Sequence, residues 1–321
     1  MKLIVTGGAG FIGSNFIAYW LKNHPSDEIT NIDKLTYAAD LKNLEPIEGN
    51  PNYTFIKGDI ADKEFVDDNF KDADVIVNFA AESHVDNSIK DSGNFVRSNI
   101  IGVHNILEIV RKKGTRFHQI STDEVYGSLP LNSKEKFSEN SKYNPRNPYS
   151  ATKAAADFLI RAYCNTYKIP VTISNCSNNY GPNQHPEKLI PKTILNAYLD
   201  KKVQVYGNGK QVRDWIFVED HCSAIERIIK KGKMGETYLI GENGEKKNLD
   251  VIKYVFKIMN KRKPLIEFVK DRPGHDVRYG IDASKIRREL DWRPRFTFEK
   301  GMQITIDHYL KNKDRYIKKV F

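Results

Sequence analysis

The chain has 321 residues, room for one large α/β unit or for a nucleotide domain with a smaller companion, and its 40% hydrophobic and 29% charged composition is ordinarily globular. No run approaches the roughly 20 apolar residues that span a bilayer, and Met1 to Thr6 carries no signal-peptide pattern, so no membrane contact and a cytoplasmic location are expected. The net charge of +10 is scattered, without a ribbon of basic and aromatic residues to suit nucleic acid, and neither the three cysteines nor the eight histidines show disulfide-framework or metal-ligand spacing.

In chain order, Leu3-Ile4-Val5 reads as a short buried strand that runs into Thr6-Gly7-Gly8-Ala9-Gly10-Phe11-Ile12-Gly13. A helix is expected from about Ser14. Glycine at 7 permits a tight turn, at 10 a close approach of backbone to pyrophosphate, and at 13 close packing of helix on strand. Such spacing alone also fits a plain turn. The strand Ile29–Ile32 then ends at Asp33, 20 residues past Gly13, and that decides for a dinucleotide. The Asp33 carboxylate suits the ribose hydroxyls of NAD and repels the phosphate of NADP, with Lys34 as its neighbour. After the strand Tyr53–Ile56, Asp59 and Ile60 are placed toward adenine. After Val75–Val77, the small Ala80 and Ala81 leave room for the cofactor.

The segment Asn99 to Lys112 reads as a helix, with Ile100, Val103, Ile106, Leu107 and Val110 on one face. The strand Phe117–Ile120 leads to Ser121-Thr122-Asp123-Glu124, and strand carboxyl ends are where open α/β sheets bind ligands. Two adjacent carboxyls there suit an elimination, one giving a proton and one taking a proton, although acidic first-turn residues of a capped helix would look the same. Residues 128–147 are polar and read as a surface loop or lid. A long helix begins near Tyr149. It carries Tyr149 and Lys153 four residues apart, hence on one face, and a neighbouring ammonium is expected to lower the tyrosine pKa and make it a base. Val171–Ile173 is a sixth strand.

Strands and helices in alternation predict a Rossmann-type, doubly wound parallel sheet over 1–177. From Asn178, prolines at 182, 186 and 191 break the rhythm, and a smaller α/β substrate domain is expected over 178–321, with 212–231 packing back on the first domain.

These blocks resemble the extended short-chain dehydrogenase/reductase family over nearly the whole length, and within it the branch that dehydrates sugar nucleotides. The matching blocks are Ala80 to Asp86, Thr122-Asp123-Glu124, Asn175 to Pro182, Pro186 to Pro191, Gln211 to Trp215, Glu245 to Asn248 and Asp271 to Asp276. The resemblance implies an NAD-dependent hydro-lyase, a homodimer, and a nucleoside-diphosphate hexose as substrate, dTDP-glucose being the expected form. Tyr149, Lys153 and Thr122 would serve oxidation at C4, with Glu124 as base at C5 and Asp123 as acid at C6. Ser98 and Asn179 would lie near the cofactor. Ser83, His84, Thr122, Asn178, Lys188, Leu189, Tyr206, Arg213, Asn248, Arg272 and His275 would line the substrate, Arg213 at its diphosphate. Trp215 reads as core. Asn87, Ser98, Asn183 and His185 depart from the pattern, the last two near the expected place of the nucleotide base. Rival readings are a dehydratase for a CDP-, UDP- or GDP-sugar, a 4-epimerase, and a non-catalytic NAD-binding sensor. The Asp123-Glu124 pair opposes the epimerase, and the intact tyrosine and lysine oppose the sensor.

Overall fold

The computed structural model describes residues 1–261 and 263–320. The six apolar runs form strands β1 (Lys2–Thr6), β2 (Glu28–Asp33), β3 (Tyr53–Lys57), β4 (Val75–Asn78), β5 (Arg116–Thr122) and β6 (Val171–Cys176), paired in parallel in the order β3-β2-β1-β4-β5-β6. Leu3, Ile4 and Val5 of β1 and Val75, Ile76 and Val77 of β4 are all buried. Helices on both faces leave such strands no wet side, so they read as apolar runs without alternation. The helices are α1 (Phe11–Asn23), α2 (Lys63–Asn69), α3 (Val85–Lys90), α4 (Gly93–Val96), α5 (Gly102–Lys113) and α6 (Pro148–Tyr167). The chain winds outward from β1 to β3, then returns to β4 on the other side of β1. The carboxyl ends of β1 and β4 therefore splay apart into a crevice.

Two helices differ from the expectation. α1 opens at Phe11, because Gly10 in extended conformation already serves as its N-cap. The helix expected from Asn99 is instead the end of a longer rod, in which a π-helical turn, Arg97–Ile101, joins α4 to α5. The extra residue of such a turn leaves no trace in a 3.6-residue pattern. It brings Asn99 inward, where its amide group bonds Glu82 N (2.9 Å), Glu82 O (3.1 Å) and Thr152 Oγ1 (2.9 Å).

The second half holds β7 (Asn178–Tyr180), α7 (Leu189–Tyr198), β8 (Val203–Tyr206), β9 (Val212–Phe217), α8 (Val218–Lys231), β10 (Thr237–Ile240), β11 (Glu245–Lys247), α9 (Asn248–Ile258), β12 (Ile266–Val269), α10 (Ser284–Leu290), α11 (Phe298–Lys311) and α12 (Lys313–Val320). β11, β9 and β7 form one small sheet, and β12 pairs with β8 in another. A cut at 177/178 does not describe this arrangement. Helix α8 lies on α1, where Glu226 accepts from Tyr19 OH (2.6 Å) and meets His24 (2.8 Å). β10 then pairs in parallel with β6 as the seventh strand of the large sheet. Of 212–231, β9 stays with the small sheet and only the helix returns. Four residues are too short a run for pattern alone to assign β10 to a distant sheet.

The stretch 128–147 is a fixed strap, not a free lid. Leu129 and Phe137 are buried, and backbone bonds tie Leu129 N to Arg278 O (3.0 Å), Phe137 N to Gly280 O (2.8 Å) and Asp282 N to Phe137 O (2.8 Å). Trp215 is core, packed with Tyr180, Phe217 and Phe298. Among the described residues no helix is long and apolar enough to cross a membrane.

Phe117, fully buried on central strand β5, tests this core. Phe117→Ala should remove about 3–5 kcal/mol from unfolding. The check is the chemical denaturation midpoint at an unchanged slope, and a shift worth under about 1 kcal/mol would contradict the central placement.

Candidate active site

The crevice is a cavity of about 330 Å³ bounded by the glycine turn, the ends of β2 to β6, the start of α6 and the segment after β7. Gly7 has φ +72°, and a Cβ there would stand 2.6 Å from Ala80 N; at Gly13 it would stand 2.4 Å from Gly7 O. The turn therefore excludes side chains, leaving bare backbone at the positive end of α1, a cradle for pyrophosphate. Asp33 caps the fit. Its Oδ2 accepts from Ala9 N (2.9 Å) and its Oδ1 from Leu35 N (2.8 Å), which leaves lone pairs on both oxygens for a pair of vicinal hydroxyls. Burial pushes its pKa up, opposed by those two amides. Lys34 is engaged elsewhere, 2.9 Å from Asp59, so it stands as Asp59's partner and not as a free cation for a 2′-phosphate. Phe11, Ile12, Ile60, Ala80, Ala81, Ser98 and Asn179 line the same cavity. Asn179 is held by His221 (2.8 Å) beneath it.

The turn itself is buttressed from far along the chain. Ala9 O accepts from Asp40 N and from Asn43 Nδ2, each at 3.0 Å. Arg315 of α12 bonds both Asp40 (2.6 Å) and Asn43, and Lys319 reaches Asp40 at 2.6 Å.

Thr122, Asp123, Glu124, Tyr149 and Lys153 all line the cavity. They come from the last residue of β5 (Thr122), the 3-10 turn Asp123–Tyr126 that follows it, and the first two turns of α6. Asn147 and Ser150 close a capping box at the start of α6, and Pro148 sits at its first position, which fixes where Tyr149 points. Asp123 is 2% exposed; its Oδ1 accepts from Thr122 (3.3 Å), and its Oδ2 has no protein partner among the described residues. Burial, and then the charge of Glu124, holds its pKa well above the usual carboxylate range. Glu124 is also raised by burial, but Arg272 and Arg213 pull it back. The two carboxyls thus stand in different fields, Asp123 as the better proton holder and Glu124 as the better anion.

One expectation is overturned. The Tyr149 pKa stands raised, not lowered, with Lys153 four residues away. Burial, followed by the charges of Glu124, Cys176 and Asp123, holds the phenol well above 10, while the Lys153 ammonium donates to Ile120 O at 2.7 Å. Desolvation outweighs a charge whose hydrogen bond points to the strand.

Ser83, Asn178 and Lys188 also line the cavity. His84, Tyr206, Arg213, Asn248, Arg272 and His275 do not; they build a polar wall running outward from Glu124. Arg272 lies 3.5 Å from Asp86 and faces the Tyr206 ring (5.6 Å), Tyr206 OH donates to Asp86 (3.1 Å), and His84 sits 3.7 Å from the same carboxylate. Gln211 joins the wall through His275 (3.3 Å) and through the amide of Asn248 (2.9 Å). Arg213 pairs with neither Asp214 nor Glu219: its guanidinium stacks on Tyr279 (4.2 Å) and donates to Val212 O and Asp276 O, each at 2.8 Å. Leu189 is placed away from the cavity, at the start of α7 among the apolar side chains of the second half. Asn183 likewise turns from the substrate wall to α1, 3.5 Å from Ser14 Oγ, whereas His185 does line the cavity, edge-on to Tyr37 (5.6 Å). Sequence reasoning missed Glu82, Cys176 and Ser177, which line the cavity as well. All three sit in quoted blocks or beside a strand end, the one signal that could have found them.

The model of the GDP-mannose 4,6 dehydratase family matches residues 4–305. A dTDP-glucose 4,6-dehydratase of Mycobacterium tuberculosis is 48% identical over 313 residues, 97% of this chain and 94% of that one. A crystal structure of dTDP-glucose 4,6-dehydratase from Bacillus anthracis in complex with NAD superposes with TM-score 0.92 at 45% identity, covering 99% of each chain. The enzyme of the same name from Streptomyces venezuelae, with NAD bound, gives TM-score 0.95 at 40% identity, covering 99% of this chain and 100% of that one.

The raised pKa of Tyr149 is open to titration. In the ligand-free protein, wild type and Tyr149→Phe should show the same ultraviolet phenolate absorbance at every pH below 10. A phenolate present in wild type and missing from the variant near neutral pH would contradict the burial argument.

Proposed function

The chain belongs to the GDP-mannose 4,6 dehydratase family, and from that membership and the cavity's chemistry we propose that it converts dTDP-glucose to dTDP-4-keto-6-deoxyglucose with bound NAD. One observation carries the reading: the Asp123–Glu124 pair lines the same cavity as Tyr149, Lys153 and the glycine turn. A 4-epimerase needs no such pair, and a sensor needs none of the four side chains.

Gly7, Gly10, Phe11, Ile12 and Gly13 would hold the pyrophosphate, Asp33 a ribose, Asp59 and Ile60 the adenine, and Lys153 the second ribose. NAD, when bound, supplies the acceptor and later the donor of one hydride, with no net consumption, and in its oxidised form a positive charge that favours the Tyr149 phenolate. Tyr149 takes the proton of the C4 hydroxyl, with Thr122 bonding the same oxygen. The new C4 ketone acidifies the hydrogen at C5. Glu124, kept anionic by Arg272 and Arg213, removes that proton. Asp123, kept protonated by burial, hands its proton to the C6 hydroxyl as water leaves. A proton goes back to C5 as hydride arrives at C6. Tyr206, Arg213, Asn248, Arg272 and His275 form the arm for the nucleoside diphosphate, with Arg272 the more accessible guanidinium and Arg213 acting by its charge from behind.

In this reading residues 1–177, with α8 and β10, form the cofactor half, and the remainder of the second half the substrate half. A homodimer is the proposed working unit, supported by large apolar side chains left exposed on α4, the π-helical turn and α6 (Val96, Ile101 and Phe158). The cytoplasm is the proposed compartment, in keeping with Cys164, Cys176 and Cys222 as free thiols.

Mass spectrometry on glucose carried by dTDP, CDP, UDP and GDP tests the substrate. Loss of one water from the dTDP form, with the highest kcat/KM of the four, is expected; equal mass with altered C4 configuration, or no change with any, would sink the proposal. Glu124→Gln should cut kcat by about 10²–10⁴-fold and stop uptake of solvent deuterium at C5, and retained turnover would remove Glu124 as the base. Activity needs Glu124 ionised and Asp123 protonated. Since burial raises both, kcat should fall in acid as Glu124 gains its proton and fall in alkali as Asp123 loses its own, giving a bell. In Asp123→Asn the alkaline fall assigned to that acid should vanish from whatever rate remains.

A further inference from the structure

One buried carboxylate beside the cavity has no part in the reaction as assigned above. Asp157 lies on α6 one turn past Lys153 and two past Tyr149, and is 0% exposed. Three donors converge on its Oδ2: the Ser121 hydroxyl (2.7 Å), the Tyr143 phenol (2.9 Å) and the Asn175 amide (3.3 Å). That convergence, with the charge of Lys153, favours the anion against burial, which raises the Asp157 pKa above the usual carboxylate value. Asn175 Nδ2 also donates to Thr122 O (3.1 Å), and Lys153 Nζ to Ile120 O (2.7 Å). Ile120, Ser121 and Thr122, the three residues before the acid pair, are thus each tied to α6, the last through Asn175.

A lone anion in such an interior is costly, and so is a lone ammonium. Asp157 and Lys153 relieve one another. Burial lowers the Lys153 pKa, and Asp157 is the leading charge that opposes the fall, followed by Cys176. The groups facing Asp157 are Lys153 on its own helix, Tyr143 from the strap with Arg161 behind it (3.0 Å), and Tyr126 from the 3-10 turn. Cys176 of β6 faces Lys153.

We propose that Asp157 is a positioning residue of the dehydration: its carboxylate fastens the strand end that carries Asp123 and Glu124 to the helix that carries Tyr149. The inference rests on the dehydratase reading for its kinetic part, while the fastening stands on its own.

Asp157→Asn keeps the size and removes the charge; Ser121→Ala removes one donor and keeps the charge. In Asp157→Asn, kcat for dTDP-glucose should fall by up to about 100-fold with KM little changed. In hydrogen exchange by mass spectrometry, the peptide 118–127 should exchange faster in both variants while 2–6 stays as in wild type. Wild-type kcat in Asp157→Asn, or unaltered exchange over 118–127 in either variant, would overturn the proposal. If Asp157→Asn does not fold, Ser121→Ala decides by exchange. A wild-type chain that releases no water would defeat the dehydratase reading, and exchange would still decide on Asp157.

Discussion

The structure depends on drawing two neighbouring carboxyls away from water at the end of one strand, Asp123 buried and Glu124 half-buried. Neither Asp123 nor Glu124 is neutralised by an ion-pair contact among the described residues; each is governed by burial and by cations at a distance. In water the two would titrate together. In the crevice Arg213 acts on both carboxyls and Arg272 is the leading cation for Glu124, and that asymmetry separates a proton donor from a proton acceptor one residue away. The Arg213 guanidinium, stacked on a phenol ring and clasping two carbonyls, needs no ligand to stay in place.

The fold supplies the rest by winding. A sheet that reverses at β1 and β4 opens its crevice at the strand carboxyl ends, so the glycine turn, Asp33, the acid pair and the start of α6 converge although they lie far apart in sequence. Desolvation is shared by every group there. The same burial that makes Asp123 an acid keeps Tyr149 a phenol and weakens the hold of Lys153 on its proton. Such a site works as a balance of charges, in which any one cation matters to several partners.

Much of this was legible in the residues. Buried parallel strands announce themselves as apolar runs, and the β1 turn, Asp33, Thr122 to Glu124, Tyr149 and Lys153 stand at positions where local chemistry and strand ends agree. What pattern could not carry is long-range or hidden by sequence noise. The β10 run is four residues long, the π-helical turn has no periodic signature, and Leu129 and Phe137 sit among polar neighbours that made a fixed strap look like a loop. Leu189 was carried over and Asn183 was placed near the nucleotide base by their neighbourhood in sequence, yet α7 packs one against the apolar interior and the other bonds toward α1. The lysine's effect on Tyr149 was misjudged because spacing gives proximity and says nothing of how dry the place is.

The clasp of α12 on Asp40 and Asn43 ties the order of synthesis to the pocket. Ala9 is made before Arg315 and Lys319, which secure its supports and lie about three hundred residues further along the chain. A nascent chain can pair β1 with β2 long before that and still lack the buttress of its phosphate cradle. Contacts of such separation form late because the loop they close is long. A nascent chain without α12 would then carry a slack cradle, and the grip on a dinucleotide would tighten only when α12 docks.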